Sequence, residues 1–230
     1  MQFPYDDALD YPIDGLPYQG HFISPGAEAP LVLLAHAWGG VTQAEINQAR
    51  KVAALGYAVL AVDLFGKGIR PTDNAGRQAQ ISALYADRAQ LRARMAGAVS
   101  ALQALGCQTQ RLVLAGYCFG GAAVLEAARA GQPALGYVSF HGNLNLPDGQ
   151  DYQLTRAPVL ICHGSADTLV SLEQFAALGV ALEQAGVPHE LISYGGAPHG
   201  FTQEGTERYH PRAAEQAWQR FTAFLAEVFK

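Results

Sequence analysis

Short apolar runs alternate with longer segments of helical spacing from about residue 30 to the end of the chain. Residues 30–35, Pro-Leu-Val-Leu-Leu-Ala, are apolar without interruption, as expected of a strand covered on both faces. Residues 44–55 carry helical spacing and run into Gly56, a residue suited to a C-cap. A second apolar run spans 57–63, and Gly66, Gly68 and Pro71 mark the loop after it. The Ala- and Arg-rich stretch 75–105 predicts two helices, ending at Gly106. Strands are then expected over 111–115, 134–140, 158–162 and 189–194, with helices over 120–130, 172–185 and 211–229 between and after them. Residues 18–23 predict an antiparallel edge strand ahead of this series. Alternation of this kind implies right-handed crossovers and an α/β fold, with a mostly parallel central sheet and helices on both faces. No linker, repeat or low-complexity tract interrupts it, so residues 1–230 are expected to form one domain.

Composition narrows the function classes. Half of the 230 residues are hydrophobic and 15% are charged, which favours a packed globule over a disordered chain. A net charge of −5 gives no electrostatic reason to expect nucleic acid as a partner. Arg88, Arg92 and Arg94 share their segment with Asp87, as on a solvated helix face. Residues 1–7 are acidic and lack the basic and apolar regions of a secretory signal, and no apolar run approaches the roughly 20 residues that cross a bilayer. No membrane partner is therefore expected. Cys107, Cys118 and Cys162 make an odd count without CxxC spacing, which suggests neither a disulfide framework nor a zinc site. A reducing cytoplasm is the expected location, with no metal or organic cofactor; oligomeric state has no signal in the sequence.

The strongest chemical signal is Leu112-Val113-Leu114-Ala115-Gly116-Tyr117-Cys118-Phe119-Gly120-Gly121. A buried strand enters a tight turn and a helix starts directly after it, which is the nucleophile-elbow arrangement G-x-Nuc-x-G with cysteine as the nucleophile. Small flanking residues let strand and helix approach closely, and the helix N-terminus favours a thiolate. A thiol of this kind needs a base, and the base an orienting group. The 158–162 strand exits into His163-Gly164-Ser165-Ala166-Asp167, and the 189–194 strand exits into Gly195-Gly196-Ala197-Pro198-His199. Asp167 and His199 thus follow Cys118 in the order nucleophile, acid, histidine, on loops at the carboxyl ends of later strands. The loop Ala35-His36-Ala37-Trp38-Gly39-Gly40 follows the first buried strand. In this fold that loop and the residue after the nucleophile supply oxyanion-hole amides, which assigns them to the backbones of Trp38 and Phe119. His36, Ala37, His141, Phe201 and Gln203 are candidate pocket residues. His163 is expected to brace the Asp167 loop; His21, His189 and His210 read as surface or edge residues, and Cys107 and Cys162 as inert.

Gly116-Tyr117-Cys118-Phe119-Gly120-Gly121, with Asp167 and His199 behind it, resembles the dienelactone hydrolase (carboxymethylenebutenolidase) family. The likeness runs from Leu31 to the last helix and includes Asp63-Leu64-Phe65-Gly66 and Ser139-Phe140-His141-Gly142. The resemblance implies an α/β-hydrolase fold and hydrolysis of small carboxylic esters or lactones through an acyl-Cys118 intermediate. Two departures stand out. Members that open dienelactones carry a glutamate in the first oxyanion loop, where Ala37 stands here. They also bind the substrate carboxylate with arginines, one of them four residues after the histidine, where this chain has Gln203. The same triad would serve a thioesterase or an esterase of small xenobiotics. A catalytically silent binding module on this scaffold would be expected to lack a triad member, and none is missing.

Overall fold

In the computed structural model, which describes residues 4–230, each apolar run read as a strand pairs into one eight-stranded sheet. Met1, Gln2 and Phe3, the start of the acidic stretch, lie outside the described residues. The strands are β1 (Tyr5–Ile13), β2 (Leu16–Ser24), β3 (Leu31–Ala35), β4 (Ala58–Val62), β5 (Leu112–Tyr117), β6 (Gly136–Phe140), β7 (Val159–Gly164) and β8 (His189–Tyr194). The helices are α1 (Gln43–Ala53), α2 (Asn74–Ala86), α3 (Arg88–Ala104), α4 (Phe119–Arg129), α5 (Leu172–Gln184) and α6 (Pro211–Val228). Strand order is β1-β2-β4-β3-β5-β6-β7-β8. From β4 to β8 neighbours pair in parallel, while β1 with β2 and β2 with β4 are antiparallel. This is an α/β-hydrolase fold.

The continuous apolar runs are explained by the two layers of helices. Leu31, Leu33 and Ala35 of β3 face one core with α3, α4 and α5, while Val32 and Leu34 face a second with α1 and α6. A strand buried on both sides leaves no polar position in the run. Helix ends are set by local chemistry. Thr42 with Glu45, and Ser171 with Gln174, form capping boxes at α1 and α5. Asp87 divides the Ala-rich stretch: its N–H closes α2 on Ala83, and its side chain accepts from Gln90 N to open α3. None of the described helices is long and apolar enough to cross a membrane.

Two expectations need correction. The 18–23 strand is not at the edge, because β1 pairs along its whole length outside β2. Arg88, Arg92 and Arg94 are also not simply solvated. Arg92 Nε donates to Glu126 Oε2 (2.9 Å), Arg88 to Glu126 Oε1, and Arg94 Nη1 to the carbonyl of Leu64 (2.5 Å). Glu126 lies on α4, all of whose residues are buried, so its carboxylate needs Arg88 and Arg92 together with Arg129.

Candidate active site

Between β5 and α4 the chain reverses within a single residue. Cys118 sits at φ 54°, ψ −116°, a conformation that costs on the order of 1–3 kcal/mol for a non-glycine residue. The neighbours that allow it have no side chain. A Cβ on Gly120 would lie 2.1 Å from the Ala35 carbonyl oxygen, and one on Gly116 would lie 2.3 Å from Gly120 C, so backbone would meet backbone. The Cys118 N–H donates to Phe140 O (3.0 Å), fixing the elbow to the end of β6. The thiol is left partly exposed at the head of α4, whose first amides have no intrahelical acceptor.

The loops after β7 and β8 bring the other two candidates to this point. His199 Nε2 lies 3.2 Å from Cys118 Sγ, and His199 Nδ1 lies 2.8 Å from Asp167 Oδ2. A carboxylate only accepts, so Nδ1 carries the proton of that bond and Nε2 is the atom free to exchange one with the thiol. Asp167 Oδ1 accepts from the amides of Leu169 (2.8 Å) and Val170 (3.0 Å), which orients the carboxylate. Ala166 N donates to Ala197 O (3.0 Å), tying the two loops together. Burial would by itself lower the His199 pKa, but hydrogen bonds to Asp167 and Cys118 and the charges of both outweigh it and raise it to about 9. Burial likewise opposes ionisation of Asp167, yet His199 and the two amides hold it below the usual carboxylate range.

The loop after β3, the candidate oxyanion loop, is anchored from behind. His36 is fully buried; its Nδ1–H donates to Ala37 O (2.5 Å), and its Nε2 accepts from Leu64 N (3.1 Å). Asp63, equally buried, accepts from the amides of Phe65, Gly66 and Gln19, so the loop after β4 supports the loop after β3. The Trp38 amide donates to no backbone carbonyl among the described residues. Beside this loop, flanking the site without being lined by Cys118 or His199, opens a cleft of about 330 Å³ bordered by Ala37, Gln48, Lys51, Tyr117, Thr202 and Gln203 among others. Of the five pocket candidates, Ala37 and Gln203 line this cleft. His36 and Phe201 have no exposed surface, and His141 has almost none. They are packed behind the site because each ring fills space between loops: His36 lies against Phe65 and Phe119, and Phe201 against His141 and Tyr194.

Sequence reasoning missed Tyr85 of α2, whose ring lies 5.7 Å from that of Phe119. Burial, followed by the charge of Cys118, holds its phenol well above the usual range. It also missed Arg77, which lies over the Trp38 ring at 5.4 Å. Both sit at helical positions in an Ala-rich stretch, and nothing local aims them at Cys118. His163 does not brace the Asp167 loop by hydrogen bonds: neither ring nitrogen has a partner among the described residues, and the ring stacks on Phe175 at 5.1 Å. Burial pushes the Cys162 thiol up to about 12, and also raises that of half-buried Cys107.

The family model described as the dienelactone hydrolase family matches residues 19–229. The chain belongs to the dienelactone hydrolase family. It is a hydrolase of esters or lactones. Among the relatives, a Salmonella typhimurium protein named "Putative carboxymethylenebutenolidase" is 27% identical over 96% of this chain and 89% of its own. A solved structure titled m3DLH superposes with a TM-score of 0.90 at 30% identity, covering 98% of this chain and 99% of the other. A dienelactone hydrolase-like promiscuous phosphotriesterase from metagenomic libraries gives the same TM-score at 29% identity, with the same coverage.

Proposed function

We propose that this dienelactone hydrolase family member cleaves small neutral esters and lactones through an acyl-Cys118 intermediate. The observation that carries the reading is the unbroken line Cys118 Sγ, His199, Asp167 Oδ2, with separations of 3.2 and 2.8 Å, at a strained strand-to-helix turn. Cys118 passes its proton to His199 Nε2 and attacks the acyl carbon. The carbonyl oxygen becomes an oxyanion held by the amides of Trp38 and Phe119. The C–O bond then breaks, the leaving alkoxide takes the proton from His199, and in a lactone it stays tethered to the acyl group. His199 next removes a proton from water, the hydroxide attacks the thioester, and Cys118 leaves. Asp167 keeps the imidazole in the Nδ1–H tautomer throughout.

Preference for neutral substrates rests on the absence of a free cation among the described residues of the cleft: Lys51, which lines it, is paired with Glu204 (2.7 Å). Gln203 stands where dienelactone-opening members carry an arginine, and Arg77, the guanidinium beside the oxyanion loop, is engaged by the Trp38 ring and the Pro71 carbonyl. The likeness to a promiscuous phosphotriesterase supports a second reading, in which the same thiol also attacks neutral phosphotriesters. The three unpaired thiols are in keeping with a cytoplasmic location. The test compares kcat/KM for a neutral lactone and its carboxylated analogue, with a phosphotriester alongside and iodoacetamide as the thiol probe. Neutral substrates should be turned over at least as well as the anion, and alkylation of one thiol should abolish all of it. A strong preference for the anion would overturn the substrate reading, and activity surviving alkylation would overturn the cysteine mechanism.

A further inference from the structure

Next to the Cys118–His199 pair stands a second histidine that the chemistry above does not use. His141 follows β6 with φ 39°, in the left-handed region where few non-glycine residues are found. It is 1% exposed. Its N–H donates to Cys162 O (2.8 Å) on β7, while the carbonyl of the preceding residue, Phe140, holds the Cys118 N–H. The ring meets His199 edge-to-face, with centroids 5.2 Å apart and planes at 63°, and meets Phe201 at 5.4 Å and 76°. Its Nε2 lies 2.8 Å from the hydroxyl of Thr202, three residues beyond His199 on the same loop. The backbone at 140–141 therefore ties the end of β6 to the elbow and to β7, while the His141 side chain touches the loop that carries the candidate base.

We propose that His141, through its hydrogen bond to Thr202 and its edge contact with the imidazole, is a positioning residue that holds His199 on the line between Cys118 and Asp167. The inference rests on the reading of His199 as the base. Without the Thr202 bond the loop is free to shift along β6, and without the ring the imidazole has room to turn away from Sγ. The pair also avoids a like-charge clash. Burial, and then the neighbouring His199, push the His141 pKa down to about 3, with Asp167 and His163 the other titratable groups facing it. A neutral second ring can pack against the His199 imidazolium; a charged one would repel it.

The test uses four single variants of the full chain, one double variant and two readouts. His141→Leu and Thr202→Val remove the hydrogen bond, Thr202→Ser keeps the hydroxyl, and His141→Gln carries an amide nitrogen to about the place of Nε2. Hydrolysis of a chromogenic acetate ester gives kcat and KM, and NMR of the resting protein gives the titration midpoint of His199. His141→Leu and Thr202→Val should lower kcat on the order of 10-fold, with KM within about twofold, because loss of alignment acts on the chemical step. The His199 midpoint should fall from about 9 toward its ordinary value, since its bonds to Asp167 and Cys118 weaken. Thr202→Ser and His141→Gln should restore kcat to within about threefold, and the double variant His141→Leu/Thr202→Val should be little worse than either single one, because both remove one bond. Lower thermal stability with kcat and the His199 midpoint both unchanged would overturn the proposal, as would a Gln variant as impaired as Leu. If the wild-type protein leaves the ester untouched, the functional reading fails, and the His199 titration alone still decides the positioning role. Thr202→Val keeps the test open if His141→Leu does not fold.

Discussion

Asp167→Asn is a near-isosteric change, and the surrounding amides decide what it does. In the native protein Oδ1 accepts from Leu169 and Val170 while Oδ2 accepts from His199 Nδ1. An asparagine has one acceptor and one donor end. If its oxygen stays on the two amides, its NH₂ faces His199 Nδ1, which must then become an acceptor. The ring proton moves to Nε2, and the atom facing Cys118 can no longer take a proton. Restoring the active tautomer means turning the side chain over, so that its NH₂ faces two N–H donors. Leaving two amides unsatisfied costs about 1–3 kcal/mol each, or roughly 2–6 kcal/mol together. At about 1.4 kcal/mol per decade this lowers kcat/KM by roughly 30-fold to 10⁴-fold. The assay is hydrolysis of a neutral chromogenic ester, with ¹⁵N shifts of His199 to read the tautomer. Stability adds a second check. The raised His199 pKa contributes stability that is full below its ordinary value of 6.5 and lost as pH rises through about 9. The lowered Asp167 pKa contributes stability present above its ordinary value of 3.8 and lost as pH falls through the folded value. The variant's deficit in chemical denaturation should therefore peak between these limits and shrink on both sides. Activity within threefold of wild type, with Nδ1 still protonated, would refute the tautomer argument.

Cys118→Ala should lower hydrolysis by at least ~10³-fold, whereas Cys107→Ala and Cys162→Ala should keep activity, the latter losing about 1 kcal/mol or more of stability at a fully buried site; steady-state assays and thermal melts check both. Gly120→Ala should be among the most destabilising single changes, about 3 kcal/mol or more, because its Cβ would meet the Ala35 carbonyl at 2.1 Å; a denaturant midpoint close to wild type would contradict the elbow geometry. Ala37→Glu, which restores the glutamate that dienelactone-opening members carry in this loop, should slow iodoacetamide alkylation of Cys118, read as a second-order rate near pH 7. Gln203→Arg should raise kcat/KM for a carboxylated lactone by about 10-fold, equivalent to roughly 1.5 kcal/mol from one charge-assisted bond, with little change for the neutral analogue.

Five of the six parallel strands, β3 to β7, were legible as largely apolar runs, β8 (His-Glu-Leu-Ile-Ser-Tyr) only by its place between a helix stop and the glycines after it, and the elbow was legible because glycines at 116 and 120 bracket a cysteine. Asp167 and His199 could be read from their places after β7 and β8. β1 was legible in principle and was missed. Leu9, Tyr11 and Ile13 alternate with exposed Asp10 and Pro12 and lead into Asp14-Gly15, both at positive φ, a strong two-residue hairpin signal. Its acidic composition masked that alternation. Strand order was not legible, since parallel strands joined by crossovers leave no local mark of which neighbour they join. Nor were Tyr85 and Arg77, which reach the site through helix packing, or the roles of Glu126 and its arginines, which depend on how α3 lies across α4.

All eleven residues of α4 are buried, with Glu126 at its centre held by Arg88, Arg92 and Arg129. A helix with no face toward water cannot fray or detach without breaking the sheet on one side and that charge cluster on the other. Its amides should therefore exchange with deuterium only through global opening, at the slowest rate in the molecule. Cys118 stands at the head of this helix, so the candidate nucleophile is mounted on the last part of the protein to come loose. Heat should then leave the enzyme either fully competent or wholly unfolded, with no intermediate range in which the scaffold persists and the site has melted.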